Sequence, residues 1–160
     1  MKKLMYAGAL ILASVAFAPT AQAAGIAGNT RVPHVVSAAG SMNNARFQPK
    51  SYALKLHVMG RALSALTIDA PEQLRLSQQI TVKDQAGKPL DATVTMNGQK
   101  ATIAFAQPVE PDTTIQINMS NVRALSDSSI WLFGLESRLV GLNADIPLGV
   151  IRIDDHSTRL

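Results

Sequence analysis

The sequence predicts an all-β domain, an immunoglobulin-like sandwich of two antiparallel sheets, with a small β-barrel as the alternative. Three observations favour this class. Short segments alternate between apolar and polar residues, glycine, proline or Asn-Gly separates them at spacings of about ten residues, and no stretch has a convincing helical period. The chain has no cysteine, so the disulfide typical of antibody domains is excluded. The predicted likeness is therefore one of architecture.

The first part of the chain predicts three strands. Residues 35–38 favour a short strand, whereas residues 40–50 follow neither period and predict a loop. Residues 51–58 alternate cleanly between apolar and polar side chains, which is typical of a strand buried on one face. A third strand is predicted around residues 65–68.

The next segment contains a connector and a strand. Residues 71–79 have too few apolar side chains for a packed helix and are interpreted as a connector. Residues 80–83 predict a strand that runs into a turn, where Gly87 supplies a positive φ and Pro89 delays pairing.

A tight hairpin is the strongest local signal in the sequence. Residues 92–96 and 100–105 both alternate, and Asn97-Gly98 lies between them. Asn-Gly is the preferred pair of a two-residue type I′ turn, so the sequence predicts that turn here.

The C-terminal part predicts three further strands separated by long loops. Residues 106–112 contain two prolines and are interpreted as a loop, and residues 113–119 alternate as a strand. Residues 139–149 are interpreted as a glycine-bearing loop, and residues 150–153 as the closing strand.

Residues 130–135 are apolar at every position apart from one glycine. This pattern predicts a central strand that is covered on both faces. Trp131, Phe133 and Leu135 share one face and are predicted to anchor the core.

The N-terminus has the three parts of a cleavable secretory signal: basic residues, an apolar stretch, and small residues ending in an Ala-x-Ala site at Ala21 and Ala23. The apolar stretch is only about 15 residues long, short of the roughly 20 that span a bilayer. The predicted organisation is a signal at 1–23, a flexible leader at 24–31, one β-sandwich domain at 32–153 and a polar tail at 154–160. The predicted location is the periplasm or the extracellular space, with the thylakoid lumen also possible.

The basic charge is modest once the signal is removed. The formal net charge of the full chain is +4, and the loss of Lys2 and Lys3 lowers it to about +2. The remaining Lys and Arg residues never form a run of three. The sequence therefore predicts neither nucleic-acid binding nor a membrane segment in the mature chain.

Several stretches resemble a known family. They are TVKDQAGKPLDATVTMNGQKATIAFAQPVEPDTTIQI, WLFGLESRLVGLNADIPLGVIRI and, more weakly, RVPHVVSA and SYALKLHV. They are similar to the domain-of-unknown-function family DUF2808, small exported proteins found largely in cyanobacteria. The resemblance implies export and one compact domain, and it brings no catalytic or ligand-binding residues with it.

No catalytic group or cofactor site is predicted. The chain has no cysteine, no Gly-x-Ser-x-Gly elbow and no Ser-x-x-Lys pair. Asp154-Asp155-His156 form a conspicuous cluster, but chain ends are mobile and make poor preorganised sites.

No metal site is predicted either. The three histidines, His34, His57 and His156, are dispersed in the sequence. Met96 and Met119 fall on faces predicted to point inward, where they fill the core.

One group of charged residues is a candidate site. Glu136 and Arg138 project from the same face of their strand, and Asp145 and Arg152 follow in the segment that folds back. One interpretation is a salt-bridged sheet surface or a strut for the 139–149 loop. The other is a polar recognition patch at the end of the sandwich, where such folds carry binding loops.

The sequence favours a non-enzymatic binding or structural module of the cell envelope, with a protein or polysaccharide partner. A metal or small-ligand carrier is the first alternative and requires His and Met side chains to converge. An enzyme of unrecognised class is the second alternative.

Overall fold

The computed structural model describes residues 32–40, 49–126, 128 and 130–154. The predicted signal, its Ala-x-Ala site, the leader and residues 155–160 lie outside the described residues. The described residues form ten strands: β1 (His34–Gly40), β2 (Lys50–His57), β3 (Leu63–Asp69), β4 (Leu74–Arg75), β5 (Ile80–Asp84), β6 (Ala92–Asn97), β7 (Lys100–Val109), β8 (Thr114–Ala124), β9 (Ile130–Leu139) and β10 (Ile146–Asp154). Within these ranges no helix is long and apolar enough to cross a membrane.

The strands form a sandwich of two antiparallel sheets, as predicted. In the first sheet β8 pairs with β2 on one side and with β5 and β4 on the other, and β1 extends the β2 edge. The second sheet has the order β10-β9-β3-β7-β6. Strands far apart in sequence therefore lie side by side, and each sheet keeps one face for the core and one outer face.

The core lies between the inward faces of the two sheets. Alternate residues of β2 and β8 from the first sheet pack against those of β3, β7 and β9 from the second. Tyr52 on β2 and Phe133 on β9 join the sheets, because their ring centroids are 5.7 Å apart with the planes tilted by 59°. Trp131 and Leu135 are also buried, which confirms the predicted anchors.

The prediction that residues 130–135 are covered on both faces is wrong. β9 is an internal strand of its sheet, but only one of its faces meets the core. Ile130 and Leu132 point outward and are 43% and 54% exposed. An unbroken apolar run cannot distinguish a doubly covered strand from one with an apolar outer face.

The predicted connector contains a strand. Leu74 and Arg75 form β4, which pairs with the end of β8. Leu74 is fully buried, and its backbone N–H donates to the Pro71 carbonyl at 2.9 Å. Two residues are too short for a period to be visible, so no pattern in the sequence indicates this strand.

The predicted hairpin joins β6 and β7, but its turn is shifted by one residue. Asn97 is the last residue of β6 and pairs with Lys100, which leaves Gly98 and Gln99 as the two loop residues. Gly98 has a φ of 61°, and neither Asn97 nor Gln99 has a positive φ. A positive φ at the first loop position alone is the mark of a type II′ turn rather than type I′.

Two predicted loops are shorter than expected. β7 continues through Pro108 to Val109, whose buried side chain lies opposite Leu63. β10 begins at Ile146, before Pro147, and a bulge follows between Pro147 and Gly149. β10 is an edge strand, where a proline removes no ladder hydrogen bond, so it does not end the strand.

Candidate functional site

The second sheet carries the predicted site residues on its outer face. Glu136 and Arg138 alternate with buried neighbours along β9, Arg152 lies on β10, and Asp145 immediately precedes β10. All four belong to the β9–β10 hairpin, whose loop spans residues 140–145. The structure therefore places them on one side of the molecule.

Arg138 and Asp145 form a bidentate ion pair across the base of this loop. Arg138 Nε donates to Asp145 Oδ1 at 2.7 Å, and Arg138 Nη2 donates to Asp145 Oδ2 at 3.0 Å. The Val140 N–H also donates to the Ala62 carbonyl at 2.9 Å. The loop is thus held at both ends, because a bidentate guanidinium–carboxylate pair fixes orientation as well as distance.

This pair changes the acidity of its members. The hydrogen bonds from Arg138 are the main reason that the pKa of Asp145 lies below its usual value. The same pair raises the pKa of Arg138.

Glu136 and Arg152 take other partners. Lys100 Nζ lies 3.6 Å from Glu136 Oε1 and 3.5 Å from Asp69 Oδ2. The charge of Glu136, followed by that of Asp69, raises the pKa of Lys100. Arg152 Nη2 lies 2.8 Å from Asp154 Oδ1. The four predicted residues therefore belong to three separate ion-pair groups.

An apolar patch lies beside these ion pairs, and sequence reasoning missed it. We define it as Ile130, Leu132 and Val150, which are 43%, 54% and 68% exposed. Leu132 is the register partner of Arg152, and Val150 is the partner of Gly134, two residues further along β9. Ile130 and Leu132 belong to the apolar run at residues 130–135, and such a run is equally typical of a strand that is buried on both faces.

The structure also brings two of the dispersed histidines together. His34 on β1 is the register partner of His57 on β2, and their ring centroids are 5.3 Å apart. In the part of the chain that the structure describes, no third His, Cys, Asp or Glu completes a metal-binding group with them. His156 lies outside that part.

The acidity of Asp145 gives a direct test of the ion pair. In Arg138→Ala we expect the pKa of Asp145 to rise toward its ordinary value, measured by carboxyl NMR titration. A lowered folded-state pKa contributes stability that is present above the unfolded value and is lost as the pH falls through the folded one, so the acid side of the stability profile should flatten. Arg152→Ala is the control, since Arg152 pairs with Asp154. An unchanged Asp145 pKa in Arg138→Ala would contradict the assignment.

The fold is similar to that of two solved bacterial structures. The N-terminal domain of the Streptococcus gordonii adhesin Sgo0707 matches with a TM-score of 0.51 and 14% identity, over 78% of this chain and 32% of that one. The chain thus spans about a third of that protein's length. A chain of the RrgA Jo.In complex matches with a TM-score of 0.51 and 12% identity, over 78% of both chains. At these identities the likeness concerns the fold alone.

A search of curated proteins found no match. A family model described as "Protein of unknown function (DUF2808)" matches residues 26–153. These residues include every strand of both sheets except the last residue of β10. The chain therefore belongs to the DUF2808 family.

Proposed function

We propose that this protein is an exported, non-enzymatic binding module of the cell envelope that docks a protein partner on the outer face of its second sheet. The observation that carries the proposal is the apolar patch of Ile130, Leu132 and Val150. Contiguous exposed apolar side chains with a polar border are typical of protein–protein contact sites.

The surrounding charges support this assignment. Arg152 lies opposite Leu132, Glu136 follows Gly134 on the same face of β9, and the Arg138–Asp145 pair lies further along the hairpin toward its loop; each of these charges has a partner within the protein. Charges already paired in the free protein need no new partner when the apolar centre is covered. The sequence-predicted residues thus form the polar border of the proposed site rather than its centre.

The backbone geometry also suits docking. β9 pairs with β10 along the patch and with β3 from Gly134 onward, and the 140–145 loop is fixed by Arg138. A surface that is already ordered loses little conformational entropy on binding. The likeness in fold to an adhesin domain agrees with a binding role, and the signal-like sequence at 1–23 supports export.

The test is crosslinking of the epitope-tagged protein in its native envelope, followed by mass spectrometry. Leu132→Asp/Val150→Asp should reduce recovery of the main partner at least about 10-fold, because two charges replace the apolar centre of the contact. Arg138→Ala, at the border, should weaken recovery less.

Leu125→Asp is the control, since Leu125 is an exposed leucine outside β9 and β10. Thermal melts of all variants confirm folding. Equal recovery with Leu132→Asp/Val150→Asp and with Leu125→Asp would overturn the proposed site. Recovery of no specific protein would overturn the protein-partner proposal and favour a glycan or small-ligand role.

A further inference from the structure

The outer face of the first sheet collects cations from four different segments of the chain. Lys55 on β2 and Lys83 on β5 are both register partners of Gln116 on β8, so they lie on either side of it. Neighbouring strands are about 4.8 Å apart, which separates the two lysines by about 10 Å at the backbone. Further along β8, Arg75 on β4 lies directly opposite Arg123. We call this surface, defined by Lys55, Lys83, Arg75 and Arg123, the cationic face.

These four side chains differ from the outward cations of the second sheet. Lys100, Arg138 and Arg152 all have carboxylate partners. Among the described residues, none of the four cations of the cationic face forms an ion pair. Asp84 at the end of β5 lines the same depression as Lys55 and Lys83, and its Oδ1 accepts the backbone N–H groups of Ala86 and Lys88. With four cations and this one carboxylate, the cationic face keeps an excess of positive charge.

The Arg75–Arg123 pair is unfavourable in the free protein. Like charges at directly opposite positions of neighbouring strands destabilise a sheet. An anion bound between them would turn this repulsion into attraction, because guanidinium groups bind carboxylate and sulfate in a bidentate manner. Their placement is thus explained by a ligand of negative charge.

The extent of the face indicates a polymeric ligand. From Gln116 to Arg123 the distance along β8 is about 20 Å at the usual rise per residue. A small anion bound at the lysines would not reach the arginines. A polymer that carries repeated negative charges would contact both pairs at once. Its overall affinity would be higher because the second contact forms within one molecule.

The side chains between the cations are polar. A shallow depression at the lysine end is lined by Lys55, Lys83, Thr114 and Gln116 among others. Gln116 Nε2 donates to Asn118 Oδ1 at 3.0 Å, which orients both amides on the surface. Within the described part of this sheet the one Phe, Tyr or Trp is Tyr52, and it is buried.

We propose that the cationic face binds an acidic polysaccharide. Protein partners are usually held by aromatic or large apolar anchors, and single-stranded nucleic acids by aromatic stacking. The side chains between the four cations are polar, and the rings nearest to them on the outward face of β2 are the paired imidazoles of His34 and His57. Hydroxyl and amide groups between fixed cations match the hydroxyls and carboxylate or sulfate groups of an acidic glycan. This site is on the opposite side of the sandwich from the proposed protein contact and does not depend on it.

The test is the affinity of the folded protein for defined polymers, measured by titration calorimetry at low and at physiological ionic strength. Alginate represents carboxylate and dextran sulfate represents sulfate; neutral dextran and a single-stranded oligothymidine are the comparisons. We expect binding to at least one acidic glycan, weaker at higher ionic strength, and none to neutral dextran. Which of the two binds more tightly identifies the anionic group.

Substitutions then locate the site. Lys55→Gln/Lys83→Gln and Arg75→Gln/Arg123→Gln should each lower the affinity at least about 10-fold. Arg61→Gln/Lys100→Gln removes the same formal charge elsewhere on the protein. This variant should bind the glycan with an affinity within about 2-fold of that of the unsubstituted protein. Leu132→Asp/Val150→Asp should still bind the glycan, which separates this proposal from the previous one.

Three outcomes would overturn the proposal. Absence of binding to both acidic glycans would do so. An equal loss of affinity in all three charge-removing variants would mean that binding depends on the net charge of the protein and not on this face. Tighter binding of oligothymidine than of either glycan would assign the face to nucleic acid instead.

Discussion

Replacing Phe133 with alanine is expected to lower the free energy of unfolding by about 3–5 kcal/mol. Phe133 is completely buried, and its ring contacts Tyr52 across the interface between the two sheets. The substitution removes a large apolar side chain and leaves a cavity that close-packed neighbours fill only in part. Domains of this size have total stabilities of about 5–15 kcal/mol, so this loss is a large fraction.

The neighbouring residue gives a matched control for Phe133. Leu132 is 54% exposed on the other face of β9, and Leu132→Ala should change the free energy of unfolding by about 0.5 kcal/mol or less. Both free energies are measured by urea unfolding, and the dependence of the free energy on urea concentration should be the same as in the unsubstituted protein. If Phe133→Ala does not fold, Phe133→Leu replaces it, and it should still lower the free energy of unfolding more than Leu132→Ala does. Equal losses at the two positions would mean that β9 is covered on both faces.

Replacing Leu74 with alanine is expected to cost about 2–5 kcal/mol. Leu74 is the buried residue of β4, the two-residue strand that joins the segment after β3 to the end of β8. The segment provides no other fully buried side chain, so the loss should be concentrated at this one position.

Arg75→Ala is the control for Leu74. Arg75 is the exposed half of β4, and its loss should change the free energy of unfolding by about 0.5 kcal/mol or less. A loss below about 1 kcal/mol for Leu74→Ala would instead support the sequence-based interpretation of residues 71–79 as a loose connector. The same urea unfolding measurement distinguishes a packed strand from a loose connector in this segment.

The candidate site shows how far sequence reasoning reached. Alternation along β9 correctly placed Glu136 and Arg138 on one outward face. It could not identify their partners, because Lys100 reaches Glu136 from β7 across the intervening β3. The apolar run at 130–135 was misinterpreted for a related reason. Whether a second face is covered depends on what packs there, and the outward side chains Ile130 and Leu132 of β9 are about half exposed.

The fold class, most of the strands and the direction of their side chains follow from the amino-acid pattern alone. These properties are local: successive side chains of a strand point to opposite faces, and glycine, proline and asparagine mark where strands end. The burial of Phe133 beside the exposed Leu132 follows from this two-residue period. The central hairpin was also predicted, although its turn type required the backbone angles of Gly98.

Which surfaces these side chains build together depends on how the strands pair in the folded protein. Lys55 and Lys83 are scattered basic residues in the sequence, but they lie on either side of Gln116 because β2 and β5 pair with opposite edges of β8. Strand order and register result from hydrogen bonds and packing between distant segments. A local pattern specifies which face a residue occupies, whereas its neighbours on that face are chosen by the whole chain.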